Sequence, residues 1–286
     1  MFFDESMLLD LRLNILDKYV SKFIICESTY SHNGSKKKLN FDIKEFTKFK
    51  SKIEYIVLDK EPANLKVINE NDSANLKESK TLDNALIREN FQRNFAFQKI
   101  READDNDLIL INDLDEIPEL KNFSYKKKIT IFKQKMLYFK FDLIYKNLSW
   151  TGSKICKKKD LINPQWLRNI KTRKYPLWRL DIFFSKKKYN DIDIIKNGGW
   201  HFTNIKTAEE IHHKMRNFLH HFEYERSGLD PKMIEKLIKN KKALYNYNAD
   251  QRDSKWSNNT ELEKINLKLL PDYINENLNK YRNWLS

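Results

Sequence analysis

The chain has 286 residues, of which 40% are hydrophobic and 13% aromatic, so it can bury a large core and is not a disordered protein. Its formal net charge of +14 would attract polyanions, but the lysine runs are spread along the whole chain, which indicates solvated loops rather than one dedicated patch. The two cysteines, Cys26 and Cys156, have no partner at metal-ligand spacing, which excludes a zinc site and a disulfide scaffold and fits a reducing compartment.

The first half of the chain predicts strands that alternate with helices. Leucines at helical spacing predict a helix over 5–17, and short apolar runs predict strands over 22–27 and 53–58. Residues 60–82 are polar, which indicates a long loop, and a helix over 83–102 follows. This alternation is typical of a mostly parallel sheet.

The second half mixes strands and helices. The pattern predicts strands over 129–132 and 136–145 and a short strand near 181–184. A helix is predicted over 207–222, and residues 230–286 are expected to be helical and irregular. Neither an internal repeat nor a domain boundary is visible in the sequence.

The most informative segment is a predicted buried strand over 108–111 that leads directly into Asp113 and Asp115, with Pro118 ending the regular structure. Carboxylates just past the C-terminal end of such a strand lie where α/β folds bind ligands. Alternate residues of an extended segment point the same way, so two carboxylates can hold Mg²⁺ or Mn²⁺ beside a diphosphate. The alternative is a solvated connection between a strand and a turn.

Several motifs along nearly the whole chain fit one family together. They are Glu5-x-x-x-Leu9-x-x-x-Leu13 with Arg12, Cys26-Glu27-Ser28-Thr29 with Gly34, Lys37 and Leu39, Tyr55-Ile-Val-Leu-Asp59, Asp113-Leu-Asp115-Glu-Ile-Pro118, Gly199-Trp-His201-Phe-Thr203, and Leu270-Pro271-x-Tyr273 with Asn277. In this order they resemble glycosyltransferase family 17, which contains the β-1,4-N-acetylglucosaminyltransferase that forms bisecting GlcNAc. An Asp-x-Asp motif alone is a weak signal, and the combination is specific.

The resemblance implies an α/β fold of the GT-A (Rossmann-like) type, with a mostly parallel central sheet flanked by helices and a helical C-terminal part. One glycosyltransferase domain would cover residues 1–286, with the nucleotide-binding half over about 1–120 and the acceptor half over about 121–286. The implied reaction is an inverting transfer of a sugar, with GlcNAc as first choice, from a UDP-sugar to a hydroxyl of a saccharide or glycoconjugate acceptor. Mn²⁺ or Mg²⁺ would be the cofactor.

Three residues match the metal ligands of such enzymes. Asp113 and Asp115 match the Asp-x-Asp motif. The resemblance implies that Asp115 coordinates the metal. Asp113 would contact either the ribose or, through a water molecule, the metal. His201 resembles the C-terminal histidine that supplies a third ligand. The alternative for His201 is a hydrogen-bonded core histidine between Trp200 and Phe202.

A second group of residues is expected around the donor nucleotide. Its members are Glu27, Ser28, Gly34, Lys37, Arg88, Arg93 and Asp113. Arg88 and Arg93 lie about 140° apart on one helix, so they cannot both face the site, and Arg88 is preferred for phosphate. The alternatives are a surface pair for the arginines and a capping or salt-bridge carboxylate for Glu27.

The catalytic base has three candidates, which are Glu209, Glu116 and Asp181. Glu209 is preferred and lies at the start of the helix after the Gly-Trp-His motif, where the helix dipole stabilises an ionised carboxylate but also lowers its basicity. The alternative for Glu209 is a partner of the helix dipole without a catalytic role.

The chain also departs from the family pattern, because it begins almost inside the expected first strand and lacks the membrane anchor and luminal stem of the animal enzymes. Without a recognisable signal peptide or membrane span, it is expected to be a soluble cytoplasmic enzyme of bacterial or viral type that does not bind nucleic acid. The sequence argues against three other classes of protein. Ile117 argues against a haloacid-dehalogenase-type phosphatase. The dispersed charge argues against a basic nucleic-acid-binding protein. The presence of Asp113, Asp115 and His201 argues against an inactive glycan- or nucleotide-binding module.

Overall fold

The computed structural model describes residues 1–176, 178–182, 184–247, 255–256 and 260–286. The helices are α1 Ser6–Leu16, α2 Ala74–Phe95, α3 Phe97–Ile100, α4 Pro164–Asn169, α5 Ala208–Asn217, α6 His221–Ser227, α7 Pro231–Lys239 and α8 Asp272–Glu276. The strands are β1 Phe23–Ser28, β2 Ile53–Leu58, β3 Leu108–Ile111, β4 Glu116–Pro118, β5 Ile129–Phe132, β6 Gln134–Tyr138, β7 Leu143–Trp150, β8 Lys154–Lys157, β9 Ile192–Ile195, β10 Gly199–Thr203 and β11 Leu262–Lys264. None of the helices within these ranges combines the length and the apolar composition that crossing a bilayer requires.

The strands form three sheets, so the predicted mixed α/β class is confirmed. Their orders are β1-β2, β11-β7-β6-β10-β4 and β3-β8-β5-β9. The pairs β1–β2, β6–β10 and β5–β9 are parallel, whereas β3–β8, β5–β8, β6–β7, β7–β11 and β4–β10 are antiparallel. The expectation of one mostly parallel central sheet is therefore not confirmed.

One cause of this difference is the segment 136–145, which was predicted to be a single strand. The chain reverses there and forms an antiparallel pair of β6 and β7. Phe139 has a φ of 65°, a left-handed conformation that an alternation of apolar and polar residues does not reveal. The alternating pattern was real, but it belonged to two strands and the turn between them.

Three other boundaries differ from the predictions. Helix α2 begins at Ala74, inside the polar segment predicted to be a loop, because Ser73 caps it and the helix is polar on most of its surface. The predicted strand near 181–184 contains a 3₁₀ turn, Leu180–Ile182. The predicted helix over 207–222 divides into α5 and α6, because Phe218 adopts an extended conformation.

The core is organised around α1, whose leucines are buried as their spacing predicted. The buried leucines are Leu8, Leu9, Leu11, Leu13 and Leu16. They belong to a cluster that also contains Ile117 on β4 and Phe202 on β10, both fully buried. This packing fixes α1 against the two strands that carry the Asp-x-Asp and Gly-Trp-His motifs.

A large cavity separates β1 from β3, which belong to different sheets. Its volume is about 730 Å³, and residues of both strands line it together with Met1, Arg12 and Arg93. Asp115 and His201 are not among its lining residues. The cavity therefore lies beside Asp115 and His201 rather than around them.

Candidate active site

Backbone pairing brings the two most specific motifs together. Strand β4 pairs with β10 so that Glu116 lies opposite His201, and the amide of Phe202 donates to the carbonyl oxygen of Asp115 at 2.8 Å. Gly199 has a φ of +119°, and a Cβ atom there would lie 2.2 Å from the carbonyl oxygen of Ile117. Only glycine permits this approach of the two strands, which gives the Gly-Trp-His motif a structural reason.

Asp115, which is half-buried, and the buried His201 form an acid–imidazole pair. The distance between Oδ1 of Asp115 and Nε2 of His201 is 3.6 Å, and Nζ of Lys214 lies 4.0 Å from Oδ2 of Asp115. The His201 ring stacks on the indole of Trp150 at a centroid distance of 4.7 Å. Burial opposes ionisation of Asp115, but His201 and Lys214 hold its pKa below the ordinary value, so the carboxylate stays charged.

Asp113 is held between two guanidinium groups. Arg93 donates to Oδ1 at 3.0 Å and Arg168 donates to Oδ2 at 2.7 Å. Burial opposes ionisation here too, but the charges of Arg168 and Arg93 hold the pKa of Asp113 well below its ordinary value. The carboxylate is therefore ionised, and both of its oxygen atoms already have charged partners.

Glu116 is fully buried and fully engaged. Its carboxylate accepts hydrogen bonds from Nε1 of Trp150 at 2.5 Å, from Arg168 at 2.6 Å and from the amide of Asp113 at 3.0 Å. Gly152 leaves room for this arrangement, since a Cβ atom there would lie 1.8 Å from Oε1 of Glu116. These bonds occupy the carboxylate, and its burial keeps it away from an acceptor, which argues against the predicted role of Glu116 as a base.

Helix α1 is clamped to the Asp-x-Asp turn by Arg12. The guanidinium donates to the carbonyl oxygen of Glu116 at 2.7 Å and to Oδ1 of Asn112 at 2.6 Å. At the start of the same helix, Glu5 pairs with Lys214 on α5 at 3.0 Å. The first motif of the sequence therefore positions the turn and the lysine beside it.

Two of the three predicted metal ligands, Asp115 and His201, lie side by side. Across the ranges that the structure describes, no group of three His, Cys, Asp or Glu side chains forms a metal cluster. Asp115 and His201 present an oxygen and a nitrogen ligand side by side, a set that suits Mn²⁺. Asp113 is turned toward Arg93 and Arg168 instead.

Glu27, predicted to lie near the nucleotide, organises the loop after β1. Its buried carboxylate accepts from Nζ of Lys37 at 2.5 Å, from the amides of Asn40 and Phe41 at 2.8 and 3.1 Å, and from the hydroxyl of Tyr55 at 2.9 Å. This is the salt-bridge arrangement named as its alternative. Lys37, another predicted nucleotide ligand, is used in the same contact.

The two arginines of α2 point to different places, as their separation on the helix required. Arg88 donates to Glu61 at 2.6 Å and lies over Gly34, whose Cβ position is 2.8 Å from Nη2 of Arg88. Arg93 reaches Asp113 instead. The preference for Arg88 over Arg93 therefore lacks support from the geometry, since Arg93 contacts the Asp-x-Asp motif.

The space beside Arg88 is small. A cavity of about 10 Å³ lies between Ser28, Arg88 and the neighbouring loop residues, which is room for about one water molecule. The hydroxyl of Ser28 accepts a hydrogen bond from the amide of Tyr30 at 3.1 Å. A nucleotide at this position would require the loop after β1 to move.

The two remaining base candidates are in different surroundings. Asp181 lies in an exposed turn, and hydrogen bonds from Arg179 and Lys188 lower its pKa to about 2, which argues against its predicted role as a base. Glu209 is exposed in the first turn of α5, while Thr207 and Glu210 form the capping box. No hydrogen bond or ion pair engages the Glu209 carboxylate within the part of the chain that the structure describes.

Sequence reasoning missed three residues that shape this site, namely Trp150, Arg168 and Lys214. Arg168 ends α4, whose start could have been recognised from the Asn163 cap followed by Pro164. Its partners lie more than 50 positions earlier in the chain, and no local pattern reveals such a pairing. No local pattern reveals the partners of Trp150 and Lys214 either.

Comparisons with known proteins identify the family of the chain. Neither curated proteins nor solved structures provide a match to the chain. The family model described as glycosyltransferase family 17 matches residues 1–286, which is the whole sequence. The chain therefore belongs to glycosyltransferase family 17.

Proposed function

We propose that this glycosyltransferase moves GlcNAc from a UDP-sugar to a hydroxyl of an acceptor glycan, with inversion at the anomeric carbon and with a GT-A type of donor site. The donor sugar, the inversion and the GT-A type rest on the motifs that the chain shares with its family. The observation that carries the site assignment is the pair of Asp115 and His201 beside Lys214. An ionised carboxylate, an imidazole and an ammonium group together can receive a metal-bound diphosphate.

The leaving diphosphate needs positive charge around it. Mn²⁺ held by Asp115 and His201 would supply most of this charge when bound. Lys214 supports it from the protein, because Glu5 and Asp115 raise the pKa of Lys214 despite its burial and keep it charged. Such fixed charges act most strongly in a site that excludes water.

Asp113 has a separate proposed role next to the metal pair. Arg93 and Arg168 hold its carboxylate in one orientation, with 30% of the side chain exposed. A carboxylate fixed in this way can accept hydrogen bonds from the ribose hydroxyls of the donor. Of the two arginines predicted to bind the donor, Arg93 is the one that contacts Asp113, and its proposed role is to position this carboxylate.

The acceptor hydroxyl must lose a proton as it attacks the face opposite the leaving group. Glu209 is the proposed base, because it alone among the three candidates keeps a carboxylate that the described residues do not engage. A positioned base contributes about 10²- to 10⁴-fold to the rate of such a step.

Release of UDP from UDP-sugars in the presence of acceptor glycans tests these assignments. Asp115→Asn should lower kcat/KM by about 100-fold or more, because it removes a charge needed at the metal site. Glu209→Gln should lower kcat by about 100-fold or more. Glu235→Gln is the matched control, since Glu235 is exposed on α7, and it should keep full activity.

Each outcome addresses one assignment. Loss of activity on metal chelation and its return with Mn²⁺ would support the metal. Full activity of Asp115→Asn would refute the metal site, and full activity of Glu209→Gln would remove Glu209 as the base.

A further inference from the structure

Residues 171–176, 178–182 and 184–188, here called the 171–188 loop, form a loop that presents apolar side chains to solvent. The amide of Lys171 donates to the carbonyl oxygen of Lys187 at 2.8 Å, which closes the base of the loop. Trp178, Leu180 and Phe184 are 79%, 72% and 90% exposed, which places them among the most exposed large hydrophobic residues of the described chain. Three exposed large apolar side chains within seven positions are more typical of an interaction surface than of a solvated loop.

The loop is tied together beneath these side chains. Arg179 donates to both oxygen atoms of Asp181 at 2.8 Å, and Lys188 donates to Asp181 at 2.5 Å. The ring of Tyr175 is buried and lies under the guanidinium of Arg179 at 5.5 Å. The loop therefore has internal contacts that use its carboxylate and its tyrosine ring, while Trp178, Leu180 and Phe184 face outward.

The loop is also strongly basic. It contains seven lysines and arginines and one carboxylate, that of Asp181, which Arg179 and Lys188 already engage. The exposed cations are Lys171, Arg173, Lys174, Lys186 and Lys187. Within the described ranges these five have no carboxylate partner, so their positive charge remains available to an anionic surface.

We propose that the 171–188 loop docks the enzyme on the surface of an anionic lipid bilayer. Trp178, Leu180 and Phe184 would enter the boundary between head groups and acyl chains, where aromatic and aliphatic side chains are favoured. The surrounding lysines and arginines would lie against anionic head groups. A nucleic acid fits less well, since Leu180 offers no ring on which a base could stack.

Co-sedimentation with lipid vesicles tests this surface. The full chain should bind vesicles in which phosphatidylglycerol makes up about a third of a phosphatidylcholine bilayer, and high salt or pure phosphatidylcholine should weaken binding by at least about tenfold. Trp178→Ser/Phe184→Ser should lower binding by about tenfold or more. Val67→Ser/Ile68→Ser is the matched control, because Val67 is 72% and Ile68 45% exposed in a different segment, and it should bind like the wild type.

A second pair of variants separates local charge from total charge. Lys186→Gln/Lys187→Gln should lower vesicle binding by about tenfold or more. Lys232→Gln/Lys236→Gln removes the same number of charges from exposed positions of α7 and should change binding by less than about threefold. Circular dichroism of each variant would verify that these exposed substitutions leave the fold intact.

Three results would overturn the proposal. One is absence of binding to either kind of vesicle by the wild type. Another is equal loss of vesicle binding in the loop variants and their controls. The third is a loss of oligonucleotide binding in the loop variants while vesicle binding stays unchanged, which would assign the loop to nucleic acid.

Discussion

Gly152 shows how a single residue supports the site without touching a substrate. A Cβ atom at this position would lie 1.8 Å from Oε1 of Glu116 and 2.4 Å from Nη1 of Arg168. The salt bridge between these two side chains also holds Asp113 through Arg168. Any side chain at position 152 must therefore displace a buried ion pair.

We predict that Gly152→Ala lowers the free energy of unfolding by about 3–5 kcal/mol, because it separates the buried charges of Glu116 and Arg168. Urea denaturation measures this change. Gly228→Ala is the matched control, since nothing lies within 4 Å of its Cβ position and the substitution carries only the penalty of a φ of +67°, about 1–2 kcal/mol. A loss for Gly152→Ala no larger than that of the control would contradict the packing argument.

Lys154 is buried below Arg168. Its Nζ donates to the carbonyl oxygens of Arg168 and Ile170 at 2.5 and 2.7 Å. Burial, with a contribution from the charge of Arg168, lowers the pKa of Lys154 from 10.5 to about 7. In the folded state this lysine therefore releases its proton at a lower pH than in the unfolded state.

The sign of the pH dependence follows from this difference in pKa. Between pH 7 and 10.5 the unfolded chain binds more protons at Lys154 than the folded chain does, so stability rises with pH across this window. Below pH 7 both states are protonated, and the full penalty of burying the charge applies. The wild type should therefore gain stability relative to Lys154→Met as pH rises from 7 toward 10.5, as measured by urea denaturation.

Lys133→Met, at an exposed position, provides the reference for this experiment. Its stability difference from the wild type should stay constant over the same range. A constant difference for Lys154→Met as well would show that Lys154 keeps the same protonation state in the folded and unfolded chain.

Among the elements around the site, helix α5 carries Lys214 and places it beside Asp115. Its N-terminus has a complete capping box, in which the Thr207 hydroxyl accepts from the amide of Glu210 and the Glu210 carboxylate accepts from the amide of Thr207. The helix ends at Phe218, where the backbone becomes extended. The cap therefore fixes where the helix begins, and with it the position of Lys214.

We predict that Thr207→Ala lowers the free energy of unfolding by about 1 kcal/mol, because it leaves a backbone donor of the first turn without its partner. Thr207→Ser keeps the hydroxyl and should remain close to the wild type. Thermal unfolding of the three proteins measures the difference. Equal melting temperatures of the alanine and serine variants would contradict a stabilising role for the cap.

Elements with a clear local signal could be predicted from the sequence. The helix over 5–17 and the strands over 53–58, 108–111 and 129–132 are present, because apolar spacing and apolar runs indicate regular structure. The strand over 108–111 is not buried as predicted, since β3 lies at the edge of its sheet and Leu108 is exposed. The turn at Phe139 and the polar start of α2 were missed. A left-handed turn residue and a capped polar helix carry little hydrophobic periodicity.

At the scale of the whole molecule, the site joins segments that are far apart in the chain. Glu5 on α1 pairs with Lys214 on α5, and Lys214 in turn lies beside Asp115. The motif residues Asp115 and His201 could be foreseen as neighbours because their motifs resemble those of one family. The contacts of Lys214 could not, since they depend on how α1 and α5 pack and not on any local pattern.

We propose that Asp115 helps to bind a UDP-sugar through Mn²⁺. The most direct test is the melting temperature of the wild type and of Asp115→Ala with a panel of nucleotide sugars, each with and without Mn²⁺. A ligand that binds only the folded state at about 100 times its Kd adds about 2.7 kcal/mol to stability. If Asp115 binds the donor through Mn²⁺, a UDP-sugar should raise the melting temperature of the wild type. This rise should require Mn²⁺ and should be absent in Asp115→Ala. A wild type that shows no rise with any nucleotide sugar, or a rise that Asp115→Ala retains in full, would contradict this proposal.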